Sequence, residues 1–196
     1  MTPRTATVSR ATRETEITLD LNLDGAGQAT IATGIDFLDH MLTGLTLHAR
    51  FDVALSCKGD LEVDDHHTAE DCAIVLGTAI ERALGDRAGI VRFGYAYAPL
   101  DEALARAVVD CSGRPFARAD LGLTREKLGA LSCENIPHVF TSLATAARIT
   151  LHVDVLAGHN DHHRAEAAFK AVALALRAAV ARGAEAAIPS TKGVLG

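Results

Sequence analysis

The sequence predicts an α/β (α+β) protein made of internally duplicated half-domains, with two mixed β-sheets and helices packed between them. Two observations support this fold class. The motif HHxxE occurs at 66–70 and again at 162–166, and a lone histidine, His40 or His138, precedes each copy at a closely similar distance. Each copy also follows a strand-like stretch and opens a helical run. Such repetition indicates a duplicated structural unit. We place the halves at about 9–92 and 93–190 within a single domain spanning 1–196.

Strands are predicted from alternating apolar and polar residues that are interrupted by turn glycines. In the first half this alternation covers 15–25, TEITLDLNLDG, and in the second half it covers 105–123, ARAVVDCSGRPFARADLGL. A further strand leads into each HHxxE motif, over 51–60 and 149–158. With the helices that follow, each half is predicted to have the order β-β-α-β-α.

Helices are predicted where apolar residues recur every three or four positions. One run covers 35–49, and its counterpart covers 134–147, where Pro137 belongs in the first turn because its missing N–H is not needed there. Each HHxxE motif opens a longer run that ends at a glycine, 68–85 in the first half and 164–183 in the second. We expect the apolar faces of these helices to pack together between the sheets.

Composition excludes several classes of protein. A hydrophobic content of 48% with a mean hydropathy of +0.16 can supply a sizeable core, while a net charge of −6 without a long basic run argues against a nucleic-acid partner. Charges interrupt every apolar run before the ~18–20 residues of a membrane span, and the N-terminus lacks the apolar segment of a secretory signal. The four cysteines form no CxxC pair, so we expect reduced, mostly buried thiols in a cytoplasmic protein.

The histidine motifs predict a metal site. At a helix start, His66 and Glu70 lie four residues apart on one face, while the adjacent His67 points in a different direction. A carboxylate oxygen and imidazole nitrogens around one point suit a metal ion with N and O ligands. A polar helix cap on the surface would not predict a second copy in register. The candidate ligands suffice for two ions and are His40, His66, His67, Glu70, His138, His162, His163 and Glu166.

The division of these ligands follows from helix geometry. Two adjacent histidines cannot both face the ion that the glutamate holds, so each His–Glu pair at i and i+4 is predicted to bind one metal while the second histidine reaches the other. Asp64 and Asp65 could accept the second ring N–H of a ligating histidine. The histidines outside the repeated pattern are His48 and His152, predicted to be structural, and His159, a loop residue whose role stays open.

Basic and hydroxyl side chains suggest an anionic, phosphorylated substrate. Arg114 lies in a Gly-Pro turn after a strand, and STKG at 190–193 combines glycine, hydroxyl and ammonium donors that suit phosphate. Taken alone, the latter segment is more simply a frayed terminus. Arg92, and Lys170 one helical turn after Glu166, add positive charge.

Six motifs in this order resemble those of the imidazoleglycerol-phosphate dehydratase family. They are GIDFLDHM, DDHHTAED, PLDEAL, DCSGRP, GHNDHHRAE and STKG, and the resemblance extends from about residue 10 to 195. It implies the dehydration of imidazoleglycerol phosphate to imidazole acetol phosphate in histidine biosynthesis, with two Mn²⁺ ions per active site that stabilise an imidazolate. It also implies a duplicated α/β fold in a shell of twenty-four subunits, with metal sites between neighbouring chains.

The resemblance also implies roles for individual residues. The eight histidines and glutamates would be metal ligands, which places Glu70 and Glu166 among the catalytic residues. Glu14, in TRETE, would be the acidic residue near the substrate carbons. Either Glu14 or a metal-bound water could move the protons. The phosphate ligands would be Arg92, Arg114, Lys170, Ser190 and Lys192.

The chemistry of this elimination accounts for such a ligand set. The carbon-bound proton that must leave has no neighbouring carbonyl, so no enolate can form and the imidazole ring is the only electron sink. Two Lewis-acidic ions, one near each ring nitrogen, would stabilise the imidazolate and lower the barrier to proton loss.

Three positions depart from the family pattern. Gly44 stands where glutamine is common, Pro137 where an acidic residue is frequent, and His159 where lysine is usual. None is a candidate ligand, so the predicted activity is unaffected.

Two other functions compete with this one. A histidine-rich metal-storage or metal-sensing protein would account for the HHxxE motifs but not for the phosphate-type residues. A dinuclear metal hydrolase usually bridges its metals with aspartates, whereas this ligand set has six histidines and two glutamates.

Overall fold

Our computed structural model describes residues 3–183, 187–193 and 195. These residues form two four-stranded sheets, one two-stranded hairpin and four helices. The strands are β1 (Thr5–Ala11), β2 (Thr15–Asn22), β3 (Ala29–Ala32), β4 (Asp52–Gly59), β5 (Phe93–Leu100), β6 (Ala103–Asp110), β7 (Phe116–Asp120), β8 (Lys127–Leu128), β9 (Leu131–Ser132) and β10 (Thr150–Ala157). The helices are α1 (Asp36–Ala49), α2 (His66–Leu84), α3 (Asn135–Ala146) and α4 (Asp161–Val180).

The two large sheets share one topology. The first has the order β1-β2-β4-β3, and the second has the order β5-β6-β10-β7. In each sheet three strands run antiparallel, and the last strand lies parallel to its neighbour. The sheets are therefore mixed and the halves are duplicated, as the sequence predicted. The limits of these halves within 1–196 stay a prediction, and residues 1, 2, 184–186, 194 and 196 of that range lie outside the described residues.

Each of the two large sheets has one strand more than the sequence predicted for its half. Three strands precede the first helix, so the order is β-β-β-α-β-α, and the second half adds the β8–β9 hairpin. The extra strands lie at sheet edges, where burial on one face is slight. Val8 is the only fully buried residue of β1, and β3 is four residues long with none. Weak burial gives weak alternation in sequence, which hides such strands.

The central strands pack one face on the helices. Ile17, Leu19 and Leu21 of β2 are buried, and the residues between them are exposed. In the second sheet the same period-two pattern buries Ala105 and Val109 of β6. Burying alternate residues of a strand is what alternation in its sequence predicts, so this part of the prediction is confirmed.

The helices pair across the two halves. Helix α1 packs on α4, and α2 packs on α3, so each helix has its partner in the other half. The approach of α2 to α3 requires a glycine, because a Cβ atom on Gly77 would lie 2.5 Å from the carbonyl oxygen of Leu143. The rings of Phe140 and Phe169, with centroids 4.5 Å apart, join α3 to α4. The predicted packing of the helices on one another is confirmed.

The helix limits agree with the sequence except at the end of α4. Pro137 lies in the first turn of α3, as predicted. Helix α4 ends at Val180 rather than at Gly183, because Ala181 adopts a non-helical conformation and Arg182 forms an isolated bridge with Ile90.

The thiols and the helix lengths agree with the composition. All four cysteines are free; Cys57 is partly buried, and Cys72, Cys111 and Cys133 are buried. Within the part of the chain that the structure describes, no helix is both long enough and apolar enough to cross a membrane.

Candidate metal centre

Both HHxxE motifs lie at the start of a helix. The first histidine of each motif donates its backbone N–H to a side-chain oxygen two residues upstream. His66 donates to Oδ1 of Asp64 over 2.8 Å, and His162 donates to Oδ1 of Asn160 over 2.9 Å. Asn160 is the N-cap of α4, whereas Asp64 precedes the N-cap of α2, Asp65, and both contacts satisfy an N–H group that the first helical turn leaves unpaired. They fix the first turns of α2 and α4, and so the directions of the side chains those turns carry.

The first group of candidate ligands is the Glu70 cluster, formed by His66, Glu70 and His138. Nε2 of His138 lies 3.0 Å from Oε1 of Glu70, and Nε2 of His66 lies 4.0 Å from Oε2 of Glu70. The two imidazole rings stack with centroids 4.9 Å apart. One ligand atom from each residue falls within 4.8 Å of the others, which is compact enough for a single metal ion.

The second group is the Glu166 cluster, formed by His40, His162 and Glu166. Nε2 of each histidine lies 3.3 Å from Oε2 of Glu166. The other carboxylate oxygen, Oε1, lies 2.6 Å from Nζ of Lys170. Burial raises the pKa of Glu166, but the ammonium of Lys170 and the ring of His40 outweigh it, so the net shift is downward and the carboxylate is held ionised.

The two clusters exchange residues between the duplicated halves. Each takes the first histidine and the glutamate of one HHxxE motif and the lone histidine of the other half. This follows from the helix pairing, since α1 carries His40 against α4, and α3 carries His138 against α2. Imidazole nitrogens suit transition-metal ions and carboxylate oxygens suit harder ions such as Mn²⁺, so two nitrogens and one oxygen per cluster can hold a divalent transition-metal ion.

The second histidine of each motif belongs to neither cluster within this chain. The ring of His67 is turned 75° from that of His66, and the ring of His163 is turned 87° from that of His162. The predicted divergence of adjacent histidines is therefore present. Neither His67 nor His163 joins the other cluster's group of atoms, so a single chain supplies three candidate ligands to each.

Carboxylates hold these two outward histidines by Nδ1. His67 Nδ1 lies 3.0 Å from Asp60 Oδ2, and His163 Nδ1 lies 2.7 Å from Glu102 Oε2. These hydrogen bonds raise the pKa of both histidines. The bond to His163, together with two backbone N–H donors, lowers the pKa of Glu102. No sequence motif identifies Asp60 as a partner of His67, because it lies outside the HHxxE pattern and only the bend between β4 and α2 brings it back to the helix start.

The expectation that Asp64 or Asp65 accepts a ligand's ring N–H is wrong in detail. Asp64 accepts the backbone N–H of His66. Nδ1 of His66 instead lies 2.9 Å from Oδ1 of Asn135, whose amide donates to Oδ2 of Asp65 over 2.9 Å. Asp65 is buried and also accepts two hydrogen bonds from Ser132. It therefore acts on His66 through a residue of the other half.

Glu14 lies in the turn between β1 and β2, close to His67. Its Oε1 atom is 3.7 Å from Nε2 of that histidine, and its side chain is half exposed. The turn is tied to α2 by buried Asp71, which accepts a 2.5 Å hydrogen bond from Thr15 and pairs with Arg10 at 2.9 Å. The sequence did not predict this role for Asp71, because no motif distinguishes it from any other polar residue of helix α2.

The candidate phosphate ligands fall into two places. Arg92 binds Asp110 through Nε at 2.8 Å and the carbonyl of Pro189 through Nη1 at 2.7 Å, which brings the 190–193 segment beside it. Arg114 is 61% exposed, with Nη2 3.9 Å from the same Asp110. Lys170 lies apart from them in sequence and contact, beside Glu166. In the tail, Ser190 Oγ accepts the backbone N–H of Lys192 over 3.2 Å, so the segment forms a turn.

The remaining sequence features lie outside the clusters. His152 packs on Phe116, with ring centroids 5.4 Å apart, in agreement with a structural role, and exposed His159 donates its backbone N–H to Glu102. His48 lies in the last turn of α1. A Cβ atom at Gly44 would meet nothing within 4 Å, so glycine is not required there by packing.

Two mixed sheets with helices paired between them, and a histidine–carboxylate cluster at the start of each motif helix, define a duplicated α/β enzyme domain with a candidate two-metal centre. The family model described as imidazoleglycerol-phosphate dehydratase matches residues 33–176. The chain belongs to the imidazoleglycerol-phosphate dehydratase family.

Individual relatives agree with this assignment. An imidazoleglycerol-phosphate dehydratase of Pyricularia oryzae is 54% identical, with 98% of each chain covered. One from Phytophthora nicotianae is 60% identical over 98% of this chain, which spans 42% of that relative's length. The crystal structure of the dehydratase from Staphylococcus aureus has a TM-score of 0.82 and 36% identity, covering 91% of this chain and 99% of the other.

Proposed function

We propose that this chain dehydrates imidazoleglycerol phosphate to imidazole acetol phosphate in histidine biosynthesis, as a cytoplasmic, manganese-dependent lyase. The observation that carries the proposal is the pair of clusters exchanged between halves, in a chain of the dehydratase family. Two equivalent sites match a substrate whose imidazole ring has two nitrogens. A storage protein has no need of two such equivalent sites.

The proposed metal ligands are the two clusters together with the two outward histidines. His66, Glu70 and His138 would hold one Mn²⁺, and His40, His162 and Glu166 would hold another. When bound, these ions would supply the positive charge that stabilises an imidazolate. Nε2 of His67 and of His163 would complete sites that lie between neighbouring chains of a homo-oligomer, which the family resemblance implies has twenty-four subunits.

The other proposed roles concern protons and phosphate. Glu14, beside the outward His67, would exchange protons with the substrate carbons. Arg92, Arg114, Ser190 and Lys192 would bind the phosphate, since Arg92 already holds the segment that carries the last two. Lys170 would balance the charge of Glu166 and contact the phosphate only if the substrate reaches that cluster. A dinuclear hydrolase is less well supported, because each cluster of the described residues contains its own single carboxylate.

The test is turnover of imidazoleglycerol phosphate by metal-stripped protein, with and without added Mn²⁺. We expect no activity after chelation and restored activity after Mn²⁺ addition. Full turnover by the stripped protein would contradict the metal role, and binding of Mn²⁺ without turnover would favour storage.

A further inference from the structure

We infer that Glu102 is a positioning residue that sets which nitrogen of His163 carries the ring proton. Oε2 of Glu102 lies 2.7 Å from Nδ1 of His163. An ionised carboxylate only accepts hydrogen bonds, so the contact places the proton on Nδ1 and leaves the lone pair on Nε2. The inference rests on the proposed function, in which Nε2 of His163 binds a metal ion.

Glu102 is itself held in place by the start of α4. Its Oε1 atom accepts the backbone N–H of His159 over 3.1 Å and that of Asn160 over 2.9 Å. Asn160 is also the residue that caps α4. The two oxygens of Glu102 therefore have separate partners: Oε1 takes the two backbone donors, and Oε2 is left for His163.

This division distinguishes a positioning role from a structural one. If Glu102 served only to hold the β5–β6 turn against α4, the two hydrogen bonds to Oε1 would be sufficient. Replacing Oε2 with a hydrogen-bond donor would then leave metal binding unchanged. A glutamine at 102 would keep the hydrogen bonds from the backbone N–H groups of His159 and Asn160, because its amide oxygen can accept them. Its NH₂ group would then face Nδ1 of His163 and donate to it, which reverses the direction of that hydrogen bond. Nδ1 must then accept, so the proton moves to Nε2 and the metal-binding lone pair is lost.

Asp60 provides the contrasting case in the first half. Its oxygens lie 3.0 and 3.2 Å from Nδ1 of His67. Among the described residues His67 is the one donor to this carboxylate. An asparagine at 60 is therefore free to turn its oxygen toward His67 and preserve the tautomer. The two halves, similar in fold, should respond differently to the same amide substitution.

The experiment compares Mn²⁺ binding by equilibrium dialysis in the wild type, Glu102→Gln, Asp60→Asn and Glu126→Gln, the last an exposed residue with the same charge change. We expect Glu102→Gln to weaken one class of Mn²⁺ site by about 10- to 100-fold, and the other two variants to bind as the wild type does. Equal binding by Glu102→Gln would overturn the inference. Absence of Mn²⁺ binding by the wild type would instead remove the metal role proposed above.

A second measurement does not depend on metal. Long-range ¹H–¹⁵N spectra of metal-free protein report which ring nitrogen is protonated, and the His163 signals are those lost in His163→Ala. At a pH where His163 is neutral, we expect Nδ1–H in the wild type and Nε2–H in Glu102→Gln. A wild-type His163 protonated on Nε2 alone would overturn the inference whatever the variants do.

Discussion

Nε2 of His138 lies 3.0 Å from Oε1 of Glu70, although the two residues belong to different halves of the duplicated chain. The contact exists because α3 packs on α2, and the same exchange brings His40 of α1 to Glu166 of α4. A site whose ligands come from both halves forms only when the halves pack together. Folding of the core and formation of the candidate metal centre are therefore coupled.

We predict that His138→Ala reduces bound Mn²⁺ by about half, because one of the two ions loses one of the three ligands that this chain supplies to it. The measurement is metal content after dialysis at fixed free Mn²⁺. His152→Ala, on the outer face of the second sheet, is the matched control and should keep the wild-type content. An unchanged content in His138→Ala would exclude this residue as a ligand.

The outward histidines allow a sharper test of how ligands divide between the ions. We predict that His67→Ala weakens the metal held by Glu166 and spares the one held by Glu70, since the ring of His67 turns away from the Glu70 cluster. In a Glu70→Gln background, His67→Ala should therefore remove the remaining Mn²⁺. In a Glu166→Gln background it should change little. The reverse pattern would show that His67 serves the Glu70 metal.

Glu14 is predicted to act on protons rather than on metal. Glu14→Gln should lower kcat by about 10²- to 10⁴-fold, the usual contribution of a general acid or base, with Mn²⁺ content unchanged. Glu16→Gln, on an exposed position of the adjacent strand, controls for the loss of charge. Full turnover by Glu14→Gln with both metals bound would show that Glu14 is not the proton-transferring residue.

The loop before β3 predicts a pH-dependent contribution to stability. Oδ1 of Asp52 accepts the backbone N–H groups of residues 26, 27 and 28 over 2.8, 3.1 and 2.9 Å. The contact from Gln28 has the largest effect, and together the three lower the pKa of Asp52 although burial raises it. Because the pKa is lower in the folded state, the contribution is present above the unfolded pKa of about 3.9 and disappears as the pH falls through the folded pKa.

We therefore expect Asp52→Asn to lower the free energy of unfolding by about 1–2 kcal/mol at pH 7. The difference from the wild type should shrink in acid. Urea unfolding of metal-free protein at several pH values measures both quantities. A difference that stays constant down to the lowest pH would mean that the carboxylate charge is not what holds the loop.

Much of the fold and the site could be predicted from the sequence, because local periodicity and motif spacing report local structure. The helices were placed by their apolar spacing, and the duplicated HHxxE motifs, together with the lone histidine that precedes each, identified every residue of both clusters. The edge strands β1 and β3 were not predicted, because an edge strand buries few residues and its sequence therefore shows little alternation of apolar and polar residues. The resemblance of six motifs to one family supplied the expected reaction.

The sequence by itself thus determined the fold class, the duplication and the set of candidate ligands. Only the tertiary structure decided which ligands meet. That His40 joins Glu166 and His138 joins Glu70 depends on helices packing across the halves. That Asp60, Glu102 and Asn135 orient the histidines depends on loops folding back to the helix starts. Such contacts join residues that are distant in sequence. Tertiary packing determines which residues meet, so no local sequence pattern predicts these contacts.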